Sequence, residues 1–114
     1  MAYNEYLQER INTLLNEKKV PYEERKMMGG LCYMIDGKMC LGIIHDDLMA
    51  RVGPENYAAL LKVKGARPMD FTKRPMKGYL YVAPDGVDFD KDLEFWLQKC
   101  LDFNPFAVAS KKRK

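Results

Sequence analysis

Two copies of one triplet, Arg67-Pro68-Met69 and Arg74-Pro75-Met76, stand seven residues apart in a stretch that closes on Lys77-Gly78. Arginine presents paired coplanar N–H donors that match a carboxylate or phosphate, and lysine adds a compact point charge. Each proline fixes its own φ and holds the arginine before it out of helical geometry. Both guanidinium groups are therefore carried on stiffened, extended chain. The chemistry this pattern offers is oxyanion capture. Arg67, Asp70, Lys73, Arg74 and Lys77 form the candidate partner-binding set, aimed at a phosphate, a nucleic acid or an acidic protein. A purely structural account competes with it. Met69 and Phe71 would anchor the connector into a sheet, and Asp70 would accept loop amides or pair with Arg67 or Arg74. Gly78 would permit a tight entry into the next strand.

Other chemistry-bearing residues are sparse. His45 is the single histidine, and His45-Asp46-Asp47 offers three potential ligands in a row. Successive residues on a turn rarely converge on one metal, so turn formation is the expected role. Gly29-Gly30 is the one glycine pair, and it falls between two strand-like runs rather than at a strand-to-helix turn, where a methyl-donor or nucleotide pocket would sit. Eight methionines are many for this length, with Met27, Met28, Met34 and Met39 clustered in one hairpin. They suit either an adaptable binding surface or core filling, and the expectation is that Met34 and Met39 plug the core. Cys100 lies on an apolar helical stripe, where it acts as a small hydrophobe. No catalytic residue, metal ligand or cofactor is expected, and the chain reads as a non-enzyme.

The net charge of +3 is not spread evenly over the 114 residues. Lys111-Lys112-Arg113-Lys114 carries four positive charges, so the body is close to neutral. Lys62 to Gly78 is basic, whereas Asp85 to Glu94 is acidic. The connector would attract an acidic partner or pair with the acidic stretch. Three cysteines, an odd and sparse set, favour a reducing compartment over a disulfide framework. The polar N-terminus and the lack of any apolar run near the ~18 residues of a membrane span place the expected location in the cytoplasm, away from membranes.

The elements that must position these residues follow from periodicity. Tyr3, Leu7, Ile11, Leu14 and Leu15 keep the 3.6-residue period, with Asn4 as N-cap, and predict a first helix from about Glu5 to Lys18. Tyr22 to Met28 reads as a strand. Asp36-Gly37 between Leu31–Ile35 and Lys38–Ile44 is a type I′ hairpin signal. An unbroken register from that turn sets Cys32, Met34, Met39, Leu41 and Ile43 on one wholly apolar face, taken as core. It sets Tyr33, Ile35, Lys38 and Cys40 on the other, so Cys32 and Cys40 cannot bond. Leu48 to Val52 is a further strand, and Gly53-Pro54 opens a second helix that ends at Gly65. Gly78 to Val82 alternates Tyr79 and Tyr81 against Leu80 and Val82. Asp88 or Asp90 caps a third helix with the stripe Leu93, Trp96, Leu97, Cys100 and Leu101, stopped by Asn104-Pro105. The order α-β-β-β-β-α-β-α implies an α+β fold of two layers, a largely antiparallel sheet with helices packed on one face. Residues 1–106 form the domain and 107–114 a basic tail.

Several of these segments resemble one family. Glu24-Arg25-Lys26-Met27-Met28-Gly29-Gly30-Leu31 with Met34-Ile35-Asp36-Gly37-Lys38-Met39-Cys40 looks like the hairpin of the TfoX N-terminal domain family. Arg51-Val52-Gly53, the Arg67–Gly78 connector and Leu93 to Trp96 resemble its later landmarks. The match spans about residues 5–103. The resemblance implies a compact α+β domain related in shape to secretion chaperones, in a single-domain member without the C-terminal helical domain of the TfoX/Sxy proteins. Those namesakes are bacterial regulators of natural competence that act on transcription. The expected function is thus a non-enzymatic regulatory or protein-interaction domain with an unidentified protein partner. The family supplies no catalytic residues to carry over. Some members bear an RNA-methyltransferase label, against which the hairpin-linked strands argue. The alternative is direct nucleic-acid binding through the Lys62–Gly78 connector and the tail, with Tyr33, Tyr79 and Tyr81 as stacking faces. A homodimer is expected to form, if at all, through the mixed face of Tyr33, Ile35 and Cys40.

Overall fold

The computed structural model describes residues 3–27, 30–68 and 78–106. Helix α1 (Glu5–Glu17) opens where Asn4 accepts a hydrogen bond from the Leu7 amide at 3.0 Å. The same Asn4 donates from Nδ2 to Asp46 and from its backbone to the His45 carbonyl, so the helix start is tied to a turn far along the chain. Asn4→Ala removes both side-chain bonds, the cap to Leu7 and the one to Asp46, and is expected to lower stability by about 1 kcal/mol in urea unfolding.

Strands β1 (Glu23–Met27), β2 (Gly30–Ile35), β3 (Lys38–Ile44) and β4 (Asp47–Arg51) follow as a meander. Helix α2 (Pro54–Leu60), strands β5 (Ala66–Pro68) and β6 (Tyr79–Val82) and helix α3 (Asp90–Phe103) complete the order, with short 3₁₀ turns at Pro84–Gly86 and Asn104–Phe106. The six strands form one antiparallel sheet in the order β1-β2-β3-β4-β6-β5. The predicted α+β class and element order hold. The connector additionally contributes β5, a three-residue edge strand whose Pro68 lacks an N–H and so suits an edge.

The hairpin turn forms as expected, with positive φ at Asp36 and Gly37. The register beyond it does not. Ile35 faces Lys38 and Met34 faces Met39, but Tyr33 then faces Leu41, leaving Cys40 as the extra residue of a β-bulge. The bulge turns Leu41 and Ile43 onto the face that carries Leu31, Tyr33, Ile35 and Cys40, and that face is the core. Leu7, Ile11 and Leu15 from α1 and Leu93, Trp96, Leu97 and Cys100 from α3 pack upon it.

Of the residues expected in the core, Leu41 and Ile43 lie there, whereas Cys32, Met34 and Met39 lie on the opposite face of the sheet. Tyr33 and Lys38 look polar, yet each buries its stem and satisfies its polar tip. The Tyr33 hydroxyl donates to Asn12 Oδ1 at 2.7 Å, and Lys38 Nζ donates to the Asn104 carbonyl at 3.1 Å. Tyr33, Ile35 and Cys40, the residues expected to offer a self-association face, are buried beneath the helices. The cap of α3 also differs from expectation. Phe89 is the N-cap and makes no side-chain bond, while Asp90 is the first helical residue. Arg10 of α1 takes the carbonyls of Val87 and Asp88 and the Asp90 carboxylate, at 2.7, 3.4 and 3.3 Å. The acidic start of α3 is thus engaged by α1, with Lys18 adding a bond to Glu94 at 3.1 Å.

Candidate functional site

The strand order brings one row of residues into register across all six strands on the face away from the helices. It runs Arg25, Cys32, Gly42, Met49, Tyr81, Arg67. Cys32 and Met49 are buried in a small second cluster, with Met39, Tyr79 and Tyr81 packed against it. Met34, expected in the core beneath the helices, is opposite Met39 and buried at 8% exposure on this face. Cys32 Sγ lies 3.7 Å from Met39 Sδ.

Of the predicted partner-binding set, Arg67 alone falls within the described residues. Asp70, Lys73, Arg74 and Lys77 lie outside them, as does the tail from 107 to 114. Arg67 sits on β5 at the sheet edge with its side chain 48% exposed. Its Nη2 donates to Asp47 Oδ2 at 2.5 Å, and its guanidinium lies 5.1 Å from the Tyr81 ring centre. This pair ties the connector to β4, two strands away. The second arginine at this end was missed as a site residue. Arg51, at the close of β4, lies 5.3 Å from the Tyr79 ring and 5.8 Å from that of Phe103, and donates to the Met39 carbonyl at 3.1 Å. Tyr79 and Tyr81 project from β6 on one face, flanked by Arg51 from β4 and Arg67 from β5. A guanidinium placed against an aromatic ring is held in a fixed orientation. The only signals for Arg51 and Asp47 were their places in the landmark Arg51-Val52-Gly53 and in the His45–Asp47 turn. Neither reveals the partners, which depend on strand order.

The thiols are poor nucleophiles. Burial pushes the Cys40 thiol up to about 12 against the smaller pull of the Arg51 charge. Burial raises Cys100 well above the ordinary range, with neighbouring Cys40 adding to it, and raises Cys32 too. All three are buried and unbonded, and Cys32 and Cys40 occupy opposite faces as expected. A protonated buried thiol neither attacks nor ligates readily. Among the described residues no group of His, Cys, Asp and Glu gathers to hold a metal ion. His45, with φ of 56°, serves its turn and the bridge to Tyr3. A cavity of about 280 Å³ opens beside Phe103, between the start of α2 and the end of α3, with Glu55, Asn56 and Asp102 as its polar lining. Arg67 is not among its walls.

The family model of the TfoX N-terminal domain matches residues 14–104. The chain belongs to the TfoX N-terminal domain family. No curated protein and no solved structure matches it. The TfoX N-terminal match takes in every described element except Glu5–Thr13 of α1 and the end of the last 3₁₀ turn, and it includes Asp47, Arg51, Arg67, Tyr79 and Tyr81. Family membership thus covers the whole sheet that carries the stacked arginines. No described helix of this TfoX N-terminal domain is long and apolar enough to cross a membrane.

Proposed function

We propose that this TfoX N-terminal domain is a non-enzymatic regulatory module that works through contact with a protein partner. Its expected setting is the bacterial cytoplasm, in the control of transcription or competence. The observation that carries this reading is the family match over residues 14–104. The position of Arg67 supports it: half exposed, aromatic-backed, and already in contact with one carboxylate, Asp47. An acidic segment of a partner would exchange with Asp47 for the same guanidinium edge.

Affinity capture from the native host tests this, with wild type compared against the Arg67→Ala/Arg74→Ala variant. A specific partner should be retained by wild type and weakened about thirtyfold in the variant, the effect of losing a central arginine contact. Equal retention would remove the connector from the mechanism.

Nucleic-acid binding is the second reading, favoured by the exposure of Lys62, Lys64 and Arg67, three cations close together in the chain. Phosphate contacts release counterions, so affinity for DNA or RNA would fall steeply as salt rises. Binding that is flat with salt excludes this reading.

A further inference from the structure

The two edges of the sheet are unlike. β5 is three residues long and contains Pro68, which has no N–H to give. β1 is five residues long, pairs on one side with β2, and carries Glu23-Glu24-Arg25-Lys26, all exposed. We propose that the β1 edge is a docking site for β1 of a second copy of this chain, joining two sheets antiparallel about a two-fold axis.

The argument is charge order. A two-fold axis perpendicular to the sheet keeps the helices of both copies on the same side. Residues opposite each other across an antiparallel pair must share a face, so the axis passes through a residue facing its own copy. Centring it on Arg25 sets Glu24 opposite Lys26 of the second copy, and Lys26 opposite its Glu24. Both pairs are of opposite charge and on the helix-covered side, where Glu24 already accepts a hydrogen bond from Gln8 at 3.1 Å. On the other side the two Arg25 residues meet, and each has its own Glu23 carboxylate 3.7 Å from Nε. That places four alternating charges around the axis. Centring on Glu24 would also form two opposite-charge pairs, Glu23 with Arg25 of the second copy, but would set two Glu24 carboxylates face to face, whereas the facing Arg25 pair is offset by the Glu23 carboxylates beside it. Centring on Lys26 forms no opposite-charge pair within β1 and opposes two ammonium groups.

Charges on an edge strand discourage pairing with generic strands. Here their order also favours a partner of the same sequence run backwards, which an antiparallel second copy supplies. Pairing over so short a strand belongs to the weak, transient class of interface, below about 1,200 Å². A reversible equilibrium is therefore expected, rather than an obligate dimer.

Sedimentation equilibrium on the full chain across a wide concentration range is the test. Wild type should show a reversible monomer–dimer equilibrium. Lys26→Glu and Glu24→Lys should each weaken it about tenfold, because a single swap sets like charges in both symmetric pairs. The double swap Glu24→Lys/Lys26→Glu should restore it. Backbone amide exchange gives a second readout that needs no variant: β1 amides should gain protection as concentration rises. A wild type that stays monomeric throughout overturns the proposal. So does a dimer indifferent to the single swaps, or one that the double swap fails to rescue.

Discussion

Trp96→Ala should come close to unfolding the domain. Trp96 is 1% exposed and is the largest of the fully buried side chains. It reaches from the middle of α3 into the cluster shared by α1 and the sheet. Removing an indole from such a site loses its transfer free energy and leaves a cavity that neighbouring helices and strands cannot close, a loss of about 3–5 kcal/mol. A domain of this size has roughly 5–15 kcal/mol in total. Urea unfolding should show the midpoint falling sharply with the slope unchanged. The adjacent Phe95 is a useful contrast. It meets Trp96 edge-on at 5.4 Å but is 38% exposed, so Phe95→Ala should be far milder. Equal effects at the two positions would contradict the burial of the α3 stripe.

Gly42→Val should be nearly as damaging, for the opposite reason. Gly42 stands in the middle of β3, opposite Cys32 on β2 and Met49 on β4. A Cβ there would lie 2.6 Å from the Leu31 carbonyl oxygen and 2.9 Å from the terminal methyl of Met49. The methionine can swing aside, but the carbonyl belongs to the backbone of the neighbouring strand and can move only by disturbing the ladder. Overpacking of this kind costs about 3 kcal/mol. Thermal unfolding should show the loss, and Cys32 should become more reactive to thiol reagents as the β2–β3 pairing loosens. A variant as stable as wild type would mean that β2 and β3 are not in the described register.

Much of the fold was legible because it rests on local rules. Asn4 caps α1 because a short side-chain oxygen accepts an orphan amide. Asp36-Gly37 turns the chain because a type I′ turn needs positive φ twice. The period of Leu93, Trp96, Leu97 and Cys100 marks the buried stripe of α3. The error over the core face also has a local origin. Strict alternation from the turn gives the wrong face once Cys40 enters as a bulge, and the polar tips of Tyr33 and Lys38 hide the burial of their stems. A bulge is chosen by how the two strands and the helices above them pack, so nothing within the hairpin announces it.

The candidate site divides along the same line. The Arg67–Gly78 pattern stands out in the chain because proline and arginine have strong local consequences, and it lies within the span of the family match. Its described arginine meets Asp47 and Tyr81, residues distant in the chain. That meeting needs β6 inserted between β4 and β5, a strand order that no local signal encodes. Sequence alone therefore determined the helices, the turns, the two-layer class and the family, all of which follow from short-range geometry and hydrophobic period. Tertiary structure decided which sheet face is core, which carboxylate holds Arg67, and that the longer β1 edge ends the sheet. Those outcomes depend on contacts between segments whose encounter is settled only by packing the whole chain.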